Sequence, residues 1–283
     1  MAEFSEDRTS FARVVSALSP YLSDLVFVGG WAHRLLALHE LASPLGFQPL
    51  MTADTDIATP KLLRARGPSI RELLQKHGFK EKLSGDETPP ISEYRLGEEE
   101  GSLYVEFLSP QSGGPNKRDG SPDATVGIAG ITAQKLKYLD VLFMHPWSVQ
   151  LNDANGYPLG KDGVAVKVPN PAAYLMQKVL VLPERKQSKQ PKDVLYIHDT
   201  ILMFSTAFDQ LRVAAQMVAE EVHPKWLQTF HDRSSAQFAA IDDRLRGAQR
   251  IASESGRSSP PTAERIRLVC QQALGRIFGR KDA

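Results

Sequence analysis

The sequence predicts an α+β fold: a mixed sheet flanked by helices over residues 1–169, followed by an α-helical domain over 170–283. Three observations predict it. Helical and strand periodicities alternate as far as Val168. Past Pro169 nearly every segment repeats its apolar residues at helical spacing. The length, 283 residues, suits one large domain or two modest ones at roughly 100–200 residues each.

Each element has its own justification. Apolar residues at 11, 14, 15, 18 and 22 predict a helix over Phe11–Leu22, with Thr9 or Ser10 as its cap. Leu25–Val28 is a short apolar run halted by Gly29-Gly30, which predicts a buried strand ending in a tight turn. Trp31–Leu41 returns to helical spacing, and Pro44, Gly46 and Pro49 mark a loop. In Thr52–Thr59, Ala53, Thr55 and Ile57 alternate with Asp54 and Asp56, so a strand shows both carboxylates on one face. Ser69–Gly78 reads as a helix from cap to terminating glycine. Ile91–Leu96 and Leu103–Leu108 predict an antiparallel pair around the acidic turn Gly97–Gly101. Gln111–Asp123 is a polar loop; Leu139–Met144, Trp147–Leu151 and Val164–Val168 are strand candidates, the last two joined by a turn. Pro171 opens a helix to about Leu182, and a basic linker, Arg185–Lys192, precedes helices over 193–207, 209–222, 224–231, 234–249 and 261–278. Ser253–Pro261 is a connector, and no fixed-period repeat is present.

Composition narrows the function classes. With 34 Lys+Arg against 33 Asp+Glu the formal net charge is +1, which argues against a globally basic nucleic-acid binder. No apolar run reaches the ~18 residues of a membrane span, so no membrane partner is expected. The acidic start MAEFSEDRTS predicts no signal peptide, and the single Cys270 predicts no internal disulfide and a reducing, cytoplasmic setting. Cys270 lies in an apolar helix and is expected as a small core hydrophobe rather than a nucleophile. The P-loop pattern G-x-x-x-x-G-K-[ST] is absent. The loop GGPNKRDG reads as surface, and His198-Asp199 and His231-Asp232 read as ordinary helix residues.

Chemistry concentrates in three pieces taken in order: a strand running into Gly29-Gly30, a strand with Asp54-Thr55-Asp56, and a strand with Glu106 between Val105 and Phe107. Asp54 and Asp56 stand about 6–7 Å apart on one face. If the Glu106 strand lies alongside, three carboxylates converge, and such a cluster needs a cation because like charges resist ionising together. Oxygen-only ligands suit Mg²⁺ or Mn²⁺. The glycine turn opening onto a helix offers backbone N–H groups to phosphate.

VFVGGW, TADTDIAT and YVEFLS together resemble the nucleotidyltransferase (polymerase-β-like) superfamily. Lys178 in AYLMQKVLVLPER and Asp193 in KQPKDVLYIHD are similar to a segment of AbiEii-type bacterial nucleotidyltransferases, known as toxins of abortive-infection and toxin–antitoxin systems. The resemblance spans residues 25 to about 204 and implies transfer of a nucleoside monophosphate from an NTP to an acceptor hydroxyl. It implies a nucleotidyltransferase-fold sheet, with Asp54, Asp56 and Glu106 as metal ligands and catalytic groups. Gly29 and Gly30 would cradle phosphate, Lys178 would meet the triphosphate, and Asp193 would lie near the acceptor or orient a basic group. RNA such as tRNA, or a protein, is the favoured acceptor, a small molecule the other, and an antitoxin protein the implied partner.

Several of these residues have plainer readings. Lys178 is equally a snorkelling lysine, and Asp193 equally a helix N-cap. Arg185, at the end of the Lys178 helix, is a better candidate for phosphate than Lys186 or Lys189. Trp31, Trp147, Trp226 and Tyr174 read as core, although Trp31 beside the glycine turn is also a candidate to stack on a base. The superfamily often has Ser or Thr after the glycines; Trp31 stands there, and ASPLGFQPLM lengthens the gap to Asp54. Those departures support an alternative, a nucleotide-binding regulatory module with impaired turnover.

Overall fold

The computed structural model describes residues 5–85, 89–98, 102–111, 113–114, 116, 120 and 123–279. The chain forms two compact units, one of residues 1–38 and 51–168, the other of residues 39–50 and 169–283.

In the first unit, α1 (Glu6–Ala17) buries Phe11, Val14 and Val15, the apolar stripe of the sequence. It starts earlier than expected, with Ser5 rather than Thr9 or Ser10 at the N-cap position. Ser19–Tyr21 tightens into a 3₁₀ turn, where Pro20 cannot donate to a continuing helix. β1 (Val26–Phe27) leads directly into α2 (Gly29–Leu36), which begins at the glycines and stops short of Leu41. β2 (Asp54–Ala58), α3 (Ile70–Lys76) and β3 (Lys80–Ser84) follow. Ser69 and Glu72 form a reciprocal capping box at the head of α3, and Gly78 past its end has φ +87°.

β4 (Ile91–Arg95) and β5 (Tyr104–Pro110) form the expected antiparallel pair. β6 (Thr125–Ile128) and β7 (Ile131–Leu136) were not expected; the two-residue turn Ala129-Gly130, both at positive φ, closes them into a hairpin. The main path of the sheet runs β1-β2-β5-β4-β3, with β7 also along β5 and β6 along β7. β2 and β5 are parallel, β1 is antiparallel to β2, and the sheet is therefore mixed. β8 (Trp147–Leu151) and β9 (Val164–Val168) form a separate antiparallel hairpin.

Leu139–Met144, expected as a strand, is a 3₁₀ helix over Leu139–Phe143. Tyr138 and His145 on either side sit at positive φ and turn the chain out of an extended path. Its buried Leu139 and Leu142 pack on Val26, Val28, Ala58 and Leu108, so the apolar run is core without being strand.

The second unit contains α4 (Pro171–Val181), α5 (Gln190–Met203), α6 (Phe208–Glu221), α7 (Pro224–Gln237), α8 (Asp243–Glu254) and α9 (Ala263–Phe278). Asn170 caps α4 through Ala173 N–H, and Pro171 takes the first turn. α7 runs further than the 224–231 read from sequence. The break falls before α8, where the Asp242 side chain accepts from the N–H groups of Arg244 and Leu245. Cys270 is fully buried, as expected of a core residue. Segment 39–50 also belongs to this unit: Ser43 N–H donates to the Met203 carbonyl, and the Ser43 and Thr206 hydroxyls lie 2.6 Å apart. Among the described residues no helix is long and apolar enough to cross a membrane.

Candidate active site

β2 alternates as the sequence requires. Thr55 and Ile57 are fully buried, and Asp54 and Asp56, which alternate with them, are half-buried on the opposite face. In the parallel β2–β5 ladder Asp54 faces Tyr104 and Asp56 faces Glu106. Paired residues project to the same face about 4.8 Å apart, so Glu106 stands beside Asp56 rather than across the sheet. The three acids are thereby on one face of two adjacent strands.

The glycine turn is tied to the same place by backbone. Val28 N–H donates to the Asp56 carbonyl at 2.9 Å, which sets the next residue, Gly29, against the Asp56 side chain. A Cβ on Gly29 would lie 2.1 Å from Asp56 Oδ2, and Gly29 has φ +64°. Only glycine combines that approach with that backbone. No side chain caps the first turn of α2, so the carboxylate lies against the end of a helix where N–H groups gather.

Sequence reasoning passed over three further residues on this face. β4 continues the row: Glu93 faces Glu106 and Arg95 faces Tyr104. The signal was present, since alternation in ISEYR puts Glu93 and Arg95 on one side and the expected hairpin fixes their partners. The Tyr104 hydroxyl titrates above its ordinary range, first because it is buried and then because Asp54, Glu106, Asp56 and Glu93 surround it with negative charge. One phenol thus registers four carboxylates.

The donor set is oxygen only and suits a hard dication. Among the described residues, no three His, Cys, Asp or Glu side chains are gathered to hold a metal as they stand. The register brings Asp56 and Glu106 to neighbouring positions on one face, with Asp54 two residues away on the same strand, so the donor chemistry suits the group. On that ground the residues fit the group.

Trp31 is not open to a base. It is fully buried, stacked on Phe11 at 3.9 Å between ring centroids, with the Arg34 guanidinium carbon 4.0 Å from its ring centroid and Arg34 paired to Asp7. Its size and apolarity place it in the core.

In the second unit Lys178, Arg185 and Asp193 meet. Lys178 Nζ donates to Asp193 Oδ1 at 2.6 Å and Arg185 Nε to Oδ2 at 3.0 Å. Asp193 is in the first turn of α5 but is not its N-cap, a position Lys189 takes. Lys178 is 6% exposed and lies 5.0 Å from the Tyr196 ring centroid, so it does not snorkel to the surface. Burial pushes the Asp193 carboxyl up, but Lys178 and Arg185 outweigh it and hold the group below its ordinary 3.8.

A mixed sheet with paired acids on one strand, a third acid on its parallel neighbour, and a glycine-opened helix against them defines the class of α+β nucleotidyltransferase-like proteins. The chain belongs to the nucleotidyltransferase family, whose profile matches residues 6–220. A nucleotidyltransferase binds a nucleoside triphosphate as its substrate. A comparison with curated proteins returns no match. Among solved structures the chain is similar to the antibiotic-resistance factor ANT(2'')-Ia, whose solution structure is described as revealing substrate-regulated conformation dynamics. That likeness has 11% identity and a TM-score of 0.37, covering 83% of this chain and 94% of that one.

Proposed function

We propose that this protein transfers a nucleoside monophosphate from an NTP to an acceptor hydroxyl. The acceptor oxygen bonds to the α-phosphorus, the bond to the bridging α–β oxygen breaks, and pyrophosphate leaves. Glu106 takes the hydroxyl proton. The backbone N–H groups of Gly29 and Gly30 receive phosphate oxygens. By the resemblance, Lys178 and Arg185 are the cations assigned to phosphate, and Asp193 orients them. Mg²⁺ or Mn²⁺ held by Asp54, Asp56 and Glu106 would neutralise phosphate charge and polarise the α-phosphate.

The observation that carries this reading is the contact of the Asp56 carboxylate with Gly29, with Glu106 as its cross-strand neighbour. It brings a metal-ligand residue type and a phosphate-binding turn to one point, which a structural glycine or a solvated acidic strand does not need. RNA or a protein is the favoured acceptor, because the resemblance that selects Lys178 and Asp193 is to toxins; a small molecule is the other, and an antitoxin protein follows from the same resemblance. The burial of Trp31 at the position where the superfamily often has a hydroxyl residue favours a second reading, a nucleotide-binding module without turnover.

One experiment separates them: labelled NTPs with Mg²⁺ or Mn²⁺, offered with cellular RNA, total protein and aminoglycosides. Label transfer that falls at least about a hundredfold in folded Asp56→Asn supports the enzyme. Nucleotide binding with no transfer to any acceptor supports the module.

A further inference from the structure

The acid face extends past the acids onto β4 and β3. One row across the sheet reads Asp56, Glu106, Glu93, Lys82, and the next row on that face reads Asp54, Tyr104, Arg95, Lys80. The glycine turn stands at one end of these rows, because β1, which leads into Gly29, pairs with β2 on the side away from β5. The other end is cationic. Arg95 is ion-paired with Glu93 and is the outer partner, with 33% of its side chain exposed against 8% for Glu93. Lys80 and Lys82 are exposed on the edge strand. Lys80 is paired with Glu98, whereas Lys82 has no carboxylate partner among the described residues.

Lysines on an edge strand guard it against pairing with another chain. That accounts for charge on β3 but not for its side. Alternation in KEKLS puts both lysines on the acid face, while Glu81 on the other face accepts from the Ser92 and Tyr94 hydroxyls.

In a phosphoryl displacement the attacking and leaving oxygens lie in line, on opposite sides of the phosphorus. With phosphate received at the glycine turn, pyrophosphate leaves toward β1 and the acceptor arrives over β5 and β4. There it meets Tyr104, whose ring centroid lies 4.9 Å from the Arg95 guanidinium carbon. The two lysines follow on β3, about 10 Å beyond β5. Aromatic rings and guanidinium planes are surfaces on which unstacked bases rest, and a row of cations beside them tracks a phosphate backbone. An amine-rich acceptor is repelled by the same row. An acidic peptide meets the cations but brings no base to Tyr104 and Arg95.

We propose that Tyr104, Arg95 and Lys82 form an acceptor-binding strip across β5, β4 and β3, and that it takes single-stranded RNA, with phosphates on Arg95 and Lys82 and a base on Tyr104. The inference rests on the reading of the acids and the glycine turn as a nucleotidyl-transfer site.

The test is the binding of a short, fluorescently labelled single-stranded RNA of mixed sequence to the full chain, followed by anisotropy, with NTP binding measured in parallel. Lys82→Gln is expected to weaken RNA binding about threefold, and to lower the slope of log affinity against log salt by about 0.7. Lys82→Glu is expected to weaken it about tenfold. Lys76→Gln, at an exposed lysine of α3 outside the strip, is expected to change neither. Tyr104→Leu is expected to weaken binding at least about fivefold through lost stacking. Should that variant fail to fold, the exposed Lys82 carries the test. The inference alone is overturned if the parent binds NTP but not this RNA, or if Lys82→Glu keeps the parent's RNA affinity and salt slope. It is equally overturned if folded Tyr104→Leu binds RNA as the parent does while an acidic peptide displaces the RNA, which assigns the strip to a protein acceptor. A parent that binds no NTP overturns the nucleotidyl-transfer reading and this inference with it.

Discussion

At Gly29 two demands meet in one residue. The backbone sits at φ +64°, where a side chain costs about 1–2 kcal/mol, and Asp56 Oδ2 fills the place a Cβ would take. Gly46, at φ +70° with nothing within 4 Å of its Cβ position, carries only the first demand. Gly46→Ala is thus expected to lose about 1–2 kcal/mol in urea denaturation with nucleotidyl transfer unchanged. Gly29→Ala is expected to lose at least as much and to lower transfer more than about tenfold, because the added methyl must displace the Asp56 carboxylate. Equal transfer rates in the two variants would separate the glycine from the chemistry. Asp193 makes a second prediction. Its carboxyl titrates below 3.8, so its ion pairs contribute their full stability above that value, and the contribution is lost as pH falls from about 3.8 toward the depressed pKa. Asp193→Asn is expected to be less stable by about 3–5 kcal/mol at pH 7, with Lys178 left buried and uncompensated, and to show a shallower acid limb in stability against pH. An acid limb identical to the parent's would contradict that assignment.

Among the elements, legibility followed how local the cause was. β2 and its two acids were readable because alternation is written in the strand itself. The β4–β5 pairing was readable because its turn is rich in glycine and acid. β3, with the sequence KEKLS, is an edge strand with exposed charges and no apolar alternation, and its position follows from pairing with β4. β6 and β7 depend on a turn whose first residue, Ala129, is at positive φ, which alanine does not advertise. The run from Leu139 reads as strand because apolar content announces burial and not geometry. Of the site, Asp54, Asp56, Glu106 and the glycine turn came from pattern, and their convergence required the parallel β2–β5 register, which no local signal specifies. Trp31 reads both as core and as a base-stacking candidate, and its burial against Phe11 agrees with the core reading.

At the scale of the whole molecule the family match ends at residue 220, yet a residue beyond it closes a buried ion cluster within the helical unit. Arg257 binds Asp199 through two contacts, of 2.9 and 2.6 Å, and His198 Nδ1 lies 2.9 Å from Asp199 Oδ1. His198 and Asp199 were read as ordinary helix residues; Asp199 is instead fully buried and held by a cation 58 residues along the chain. The Arg257 guanidinium carbon also lies 3.8 Å from the Phe47 ring centroid, in the segment between the glycine turn and the acid strand. Arg257→Ala is expected to destabilise the protein by about 3–5 kcal/mol in thermal or urea unfolding, because it strands a buried carboxylate. Asp199→Leu combined with Arg257→Leu is expected to cost much less, since an apolar pair leaves no stranded charge. A single variant no worse than the double would count against the cluster as a unit.

Segment 39–50 has a hereditary consequence. Because it lies with the helices while the residues on both sides of it lie with the sheet, the chain passes between the units three times. Recombination that exchanged the helical half at one crossover near 169 would import new helices while leaving behind a strap shaped for the old ones. The two parts are thus expected to be inherited as a matched set, and the stretch preceding Asp54 to vary in step with the C-terminal helices.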